Sequence, residues 1–367
     1  MGQLRRQDLT NPILHFVVPG ALDQCTGGYI YDAHVIAGLR DIGWRVDVHN
    51  LTGNFPGGDA EARSSLTSAL AGIPDGCRVV IDGLAMGGFP ELLQAESGRL
   101  RMLALVHHPL ADEVGIGESE RTRLRALERA GLGACAGVVV TSEFTARRLG
   151  IYGVGPERIG VVTPGVDVVR HAIGPVNVQE PSLLCVGSVI PRKGHKTLVL
   201  ALKELMDLPW TCHCVGSLDR APDYSGSVQE LNAQMGLTGR VRFVGECEAG
   251  PLDAFYHHAS LFVLPSHYEG YGMALAEAMA RGLPVVSTTG GAIPDTVDAE
   301  ASVLVPPGDA LALSAAIRGL LSEVEGSKRR RVLASAARNR AAQLPSWDEA
   351  AVRFDAVLLT LMPDGDI

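Results

Sequence analysis

Four short stretches of this 367-residue chain gather residue types that handle anions and hydroxyls. In residues 187–194 (GSVIPRKG), a turn at Gly187 leads to two adjacent cations, Arg192 and Lys193, just before a helical run. A planar guanidinium fork beside a compact ammonium suits a diphosphate. In residues 266–273 (SHYEGYGM), Gly270 and Gly272 open a helix, so the amides from Tyr271 through Met273 to Ala274 face an anion at the positive end of the helix dipole. Glu269 precedes that helix. Glu277 lies two turns inside it, within MALAEAMA, where an unpartnered acid is costly. Either carboxylate can accept two vicinal hydroxyls of a sugar or ribose. In residues 105–109 (LVHHP), an apolar strand ends on His107 and His108, whose rings can donate to a hydroxyl or diphosphate or move a proton. His107 is the stronger candidate. In residues 19–28 (PGALDQCTGG), Gly27 and Gly28 at a helix start let a ligand approach the backbone, although a tight turn explains the pair equally well.

These stretches need elements to hold them. Short apolar runs at 13–18, 45–51, 78–81, 102–107, 137–141 and 159–163 alternate with amphipathic ones such as 29–41 and 118–134. The pattern predicts a parallel sheet with helical crossovers. Residues 174–181, with two prolines and a glycine, read as a linker. The alternation then restarts with runs at 182–186, 211–215, 241–244, 261–264, 284–287 and 302–305. The expected fold class is therefore α/β, with two doubly wound units over residues 1–173 and 174–346. A last helix is expected over 347–361, capped by Ser346 and Glu349. Ligands of open parallel sheets bind beyond the carboxyl ends of the strands, where all four stretches fall.

Composition narrows the classes. A net charge of -9 argues against a broad nucleic-acid footprint. No apolar run reaches the roughly 18–20 residues that span a bilayer, and the polar opening residues do not read as a signal peptide, so a cytoplasmic protein is expected. Arg121, Arg123, Arg125 and Arg129 share one helix with Glu118, Glu120 and Glu128, which reads as a solvated face allowing at most peripheral membrane contact. The cationic run 328–331 reads the same way. The seven cysteines are scattered. Cys185, Cys212 and Cys214 lie in strand runs and read as reduced core residues, and the Cys212-His213-Cys214 spacing fits no common zinc pattern. Neither glycine turn is GxGxxG, and no Asp-x-Asp pair stands at these strand exits. Neither a cofactor nor a metal is expected.

The motifs also match a known pattern. Residues 163–167 (TPGVD), Gly187 through Arg192-Lys193-Gly194, residues 243–245 (FVG), Glu269 with seven residues to Glu277, and residues 290–295 (GGAIPD) stand in an order that resembles the GT-B retaining glycosyltransferase family usually numbered four. The resemblance covers essentially the whole chain and is strongest over 160–310. It implies two Rossmann-like domains facing a cleft, an acceptor-side domain first and a donor-binding domain second, with residues 347–367 packing back on the first. It implies that Arg192 and Lys193 bind the donor diphosphate, Glu277 the ribose, and Glu269 hydroxyls of the transferred sugar. Gly27 and Gly28 would lie near the diphosphate, His107 near the donor sugar, and Gly245 in the loop that meets the base. Gly187, Gly270, Tyr271, Gly272 and Met273 complete the implied donor site, with His107, Arg192, Lys193 and Glu269 as its catalytic members. Asp295 departs from the pattern, which often has Glu there. The implied function is retaining, metal-independent transfer of a hexose from a UDP-sugar or GDP-mannose to a hydroxyl acceptor. A nucleotide-sugar epimerase of the same fold and a non-catalytic sugar-binding protein are the alternatives.

Overall fold

The computed structural model describes residues 12–177, 180–322 and 324–363. Residues 1–11, part of the expected linker (178 and 179) and the last four residues lie outside that range. Two six-stranded sheets follow one another. The first comprises β1 (Ile13–Pro19), β2 (Arg45–Leu51), β3 (Arg78–Asp82), β4 (Arg101–Val106), β5 (Gly137–Val140) and β6 (Ile159–Val161), in the order β2-β1-β3-β4-β5-β6. The second comprises β7 (Ser182–Val186), β8 (Thr211–Val215), β9 (Val241–Gly245), β10 (Leu261–Leu264), β11 (Val285–Thr288) and β12 (Ser302–Val305), in the order β12-β11-β10-β7-β8-β9. Every pairing is parallel. Runs such as Val138-Val139-Val140 are fully buried because helices cover both faces of each sheet.

Five helices matter for the site: α1 (Gly27–Asp41), α2 (Glu118–Ala134), α3 (His195–Lys203), α4 (Met273–Ala280) and α5 (Trp347–Leu361). The capping box expected at α5 is present, with Ser346 accepting from the Glu349 amide and Glu349 reaching back to the Ser346 amide. From that start α5 returns to the first domain. Phe354 and Leu358 are fully buried in the same core as Phe16 and Tyr31, at about 1.5–3 kcal/mol for each side chain. Trp44 Nε1 donates to Asp355 Oδ1 at 2.8 Å, and Arg78 Nε to the Met362 carbonyl at 3.0 Å. The body of the second domain is thus entered and left by separate crossings. Beside them, the Val166 amide donates to the Pro345 carbonyl at 2.9 Å.

In each sheet the strand order reverses at one point, between β1 and β3 in the first and between β7 and β10 in the second. The crevice outside the carboxyl ends is widest at such a reversal. Sequence places α1 and Asp82 at the first reversal, with His107 at the end of the next strand, β4, and the loops 187–194 and 265–272 at the second.

One surface expectation is corrected. Glu128 does not balance arginines in solvent. It is buried, and its carboxylate accepts the backbone amide of Leu110 and, at 3.1 Å, that of Ala111. Burial pushes its ionisation up to about 7. Glu118 and Glu120 do pair outside, with Arg121 and Arg123.

Candidate functional site

The two strand-order reversals face each other across a cavity of about 460 Å³. Its second-domain wall is a charged knot. Lys193 Nζ donates to Glu269 Oε1 at 2.6 Å, Arg192 Nη1 to Glu269 Oε2 at 3.1 Å, and Ser266 Oγ to Oε1 at 2.6 Å. Arg192 also donates to the Tyr268 carbonyl at 3.0 Å. Burial alone would raise the Glu269 carboxyl, but Lys193 and Arg192 outweigh it and hold it at about 2. Arg192 Nε also lies 3.5 Å from Glu113 Oε2, so the two cations share two carboxylates, which an anionic ligand would have to displace.

Backbone geometry shapes this wall. Gly272, the N-cap of α4, has φ +96, a left-handed conformation that L side chains rarely adopt. A side chain at Gly270 would collide with the His107 carbonyl oxygen of the other domain. Ser142 Oγ and Thr145 Oγ1, also from the first domain, donate to the Gly270 carbonyl at 2.5 and 3.3 Å. The glycine-rich 290–295 segment works from behind: the Ala292 amide donates to the Glu269 carbonyl at 2.8 Å. Asp295, the departure from the expected Glu, takes Arg147 Nη2 at 2.6 Å across the cleft.

The first-domain wall holds a set that the sequence reading missed. His107 Nε2 lies 3.1 Å from Asp32 Oδ1 on α1 and 3.5 Å from Asp82 Oδ2 at the end of β3. Burial opposes charge on His107, but Asp32 and Asp82 prevail and raise it. Burial, with Asp32 adding, pushes Asp82 up to about 7. The three ligand atoms lie within 4.8 Å of one another, so the imidazole stands within reach of both carboxylates. Asp82 ends an apolar strand run, which was a usable signal. Asp32 carried only an acid among the apolar residues of α1.

Of the expected site residues, His107, Gly27, Gly28, Gly187, Arg192, Lys193, Glu269, Gly270, Tyr271, Gly272, Met273 and Glu277 all line the one cavity. Gly245 does not. Its carbonyl accepts the Gly216 amide at 2.9 Å within the sheet edge, and Glu246 and Cys247 form the wall beyond it. Glu277 accepts from Tyr256 Oη at 2.9 Å, and burial raises it above the usual carboxylate range. His108 also lines the cavity, 3.3 Å from Glu113 Oε2. Tyr271 Oη is buried with no hydrogen-bond partner. Tyr271 belongs to the cavity wall, and such an orphan calls for a polar ligand.

Fold and site together define a two-domain GT-B protein. Over residues 180–323, in the second domain, the chain matches the family model of the glycosyl transferases of group 1. A D-inositol 3-phosphate glycosyltransferase of Thermomonospora curvata is 30% identical over 264 residues, covering 65% of this chain and 60% of that protein. An MMP alpha-(1->4)-mannosyltransferase of Mycolicibacterium hassiacum is 27% identical over 330 residues, covering 85% and 78%. Among solved structures, sucrose-phosphate synthase from Thermosynechococcus elongatus superposes with a TM-score of 0.78 at 23% identity, over 95% of this chain and 99% of that one. Anabaena HepE in complex with UDP-glucose superposes with a TM-score of 0.73 at 18% identity, over 94% and 99%. Among the described residues no helix is long and apolar enough to cross a membrane.

Proposed function

We propose that the chain is a glycosyltransferase that moves a hexose from a nucleotide-diphosphate sugar to a hydroxyl acceptor, with retention and without a metal. The observation that carries this is the Arg192–Lys193–Glu269 knot beside the start of α4, facing the Asp32–His107–Asp82 set across one cavity. The structural likeness to a protein solved with UDP-glucose supports a nucleotide-sugar donor. UDP-sugars and GDP-mannose are the donor classes proposed.

Cleavage of the donor bond leaves positive character on the sugar and negative charge on the diphosphate. Fixed donors must stabilise that leaving charge. Arg192, Lys193 and the amides opening α4 do so, Glu277 holds ribose hydroxyls, and Glu269 turns to sugar hydroxyls once the diphosphate takes over its cations. His107, held by Asp32 and Asp82, donates to the sugar from the opposite wall. A double displacement requires a carboxylate nucleophile under the anomeric carbon. Glu269, the motif carboxylate nearest that position, is committed to Lys193, Arg192 and Ser266. The acceptor oxygen therefore attacks from the face the diphosphate leaves, and the hydroxyl proton passes to the departing diphosphate oxygen. The chain does contain one Asp-x-Asp pair, Asp364 and Asp366, which lies outside the described residues.

The test is product analysis by proton NMR with α-linked UDP- and GDP-sugars, a panel of hydroxyl acceptors and excess EDTA. An α-linked product is expected. A β-linked product, or activity lost in EDTA and restored by magnesium or manganese, overturns the mechanism. Free nucleotide released with an epimerised sugar and no acceptor overturns the transfer itself.

A further inference from the structure

The core of the second domain holds a polar cluster that the donor site does not use. Cys185 and Cys214 stand opposite each other on the adjacent parallel strands β7 and β8. His195, the first residue of α3, turns its ring into the same space. The three are 0%, 1% and 0% exposed, in the order Cys185, Cys214, His195. Their ligand atoms all lie within 4.8 Å of one another, and His195 Nε2 is 3.7 Å from Cys185 Sγ. His213, between Cys212 and Cys214, faces the other way and packs on Phe255 at 5.2 Å. The local spacing around His213 was therefore the wrong guide, and strand pairing assembles a different set.

We propose that Cys185, His195 and Cys214 form a structural zinc site that ties down both ends of the loop carrying Arg192 and Lys193. Tetrahedral zinc, at about 2.3 Å from sulfur and about 2.0 Å from nitrogen, sets neighbouring ligand atoms about 3.5–3.8 Å apart. The 3.7 Å between His195 and Cys185 falls in that range. Two thiolates and a neutral imidazole are soft donors that select zinc over magnesium or calcium. With Zn²⁺ the set is neutral overall, so its burial strands no net charge, and binding releases the two thiol protons to solvent. The three ligand atoms take three of the four tetrahedral positions; Cys212, beside the Cys214 thiol on β8, lies outside the clustered set. Without a metal, His195 Nε2 meets only a thiol and Nδ1 has no partner despite complete burial. A hydrophobic core has no use for such a residue.

The placement gives the site a purpose. Cys185 lies two residues before Gly187 and His195 two residues after Lys193, so one ion joins the strand that enters the diphosphate loop to the helix that leaves it. The ion is remote from the reacting atoms and is loaded as the domain folds, since metal binding and folding are coupled.

The test is metal content of the full chain purified without chelators or metal-affinity steps. One zinc per chain is expected, falling at least tenfold in Cys214→Ser and in His195→Gln. Wild-type protein unfolded, stripped and refolded with cobalt(II) should show a thiolate-to-cobalt charge-transfer band, which neither variant shows. The wild-type measurements stand even if a variant does not fold. A folded wild-type chain with no zinc and no cobalt band overturns the proposal, as does a Cys185–Cys214 disulfide found by mass spectrometry. Loss of zinc with transfer activity intact leaves the site standing and refutes only its role in bracing the loop.

Discussion

Glu269→Gln isolates the charge at the centre of the knot. The amide keeps the size of the side chain but leaves Lys193 beside Arg192 without a carboxylate partner, with Glu113 alone still facing Arg192. The drop of the Glu269 carboxyl from its ordinary 4.5 to about 2, at about 1.36 kcal/mol for each tenfold change in acidity, is worth about 3 kcal/mol of folding stability. Because the folded-state value is depressed, that stability is present above pH 4.5 and is lost as pH falls toward 2. At neutral pH the variant should therefore melt about 6–12 °C lower for a domain of this size. A nucleoside diphosphate supplies the missing negative charge, so UDP or GDP should raise the melting temperature of the variant more than that of the wild type. The assay is a thermal melt of both proteins with and without saturating nucleotide. Equal melting temperatures without ligand, or a ligand-induced rise no larger in the variant, would refute the picture of a carboxylate standing in for the diphosphate.

Two further outcomes follow from the other walls of the cavity. Glu277→Gln should weaken binding of a ribonucleoside diphosphate more than that of its 2′-deoxy analogue, as measured by calorimetry; equal losses would assign Glu277 to packing with Tyr256 instead. Asp82, raised from 3.8 to about 7, binds a proton in the folded state that the unfolded chain has released, so its contribution is full below pH 3.8 and lost as pH rises to about 7. Denaturant titrations of Asp82→Asn between pH 4 and 7 should lack up to one proton of that slope, about 1.36 kcal/mol per pH unit, and an unchanged slope would contradict the buried pairing with Asp32 and His107.

The strands were legible because parallel sheets bury both faces, which leaves unbroken runs such as Val138-Val139-Val140 with nothing polar to confuse them. Glu277 was legible for the converse reason, as an acid inside an apolar helical run. The strand expected over 102–107 stops at Val106, and leaving the ladder there frees His107 to turn its ring toward Asp32. That partnership was invisible because α1, β3 and β4 meet only through the strand order. Glu128 misled because its charge fitted a surface tally, while its amide partners belong to a segment 17 and 18 residues earlier. Cys185, His195 and Cys214 were unreadable as a group until the register of β7 against β8 was known.

A peptide group has two ends and turns as one plank. The carbonyl of Gly270 is gripped by Ser142 and Thr145 of the first domain, and the other end of that plank is the Tyr271 N–H, on the wall where the diphosphate is proposed to sit. Parting the domains releases the carbonyl and lets the plank rotate. An open molecule is then not simply a closed one held ajar, because its anion-facing amide is free to point elsewhere. With a nucleotide diphosphate bound as proposed, its release and the parting of the domains are linked through the Ser142 and Thr145 hydroxyls.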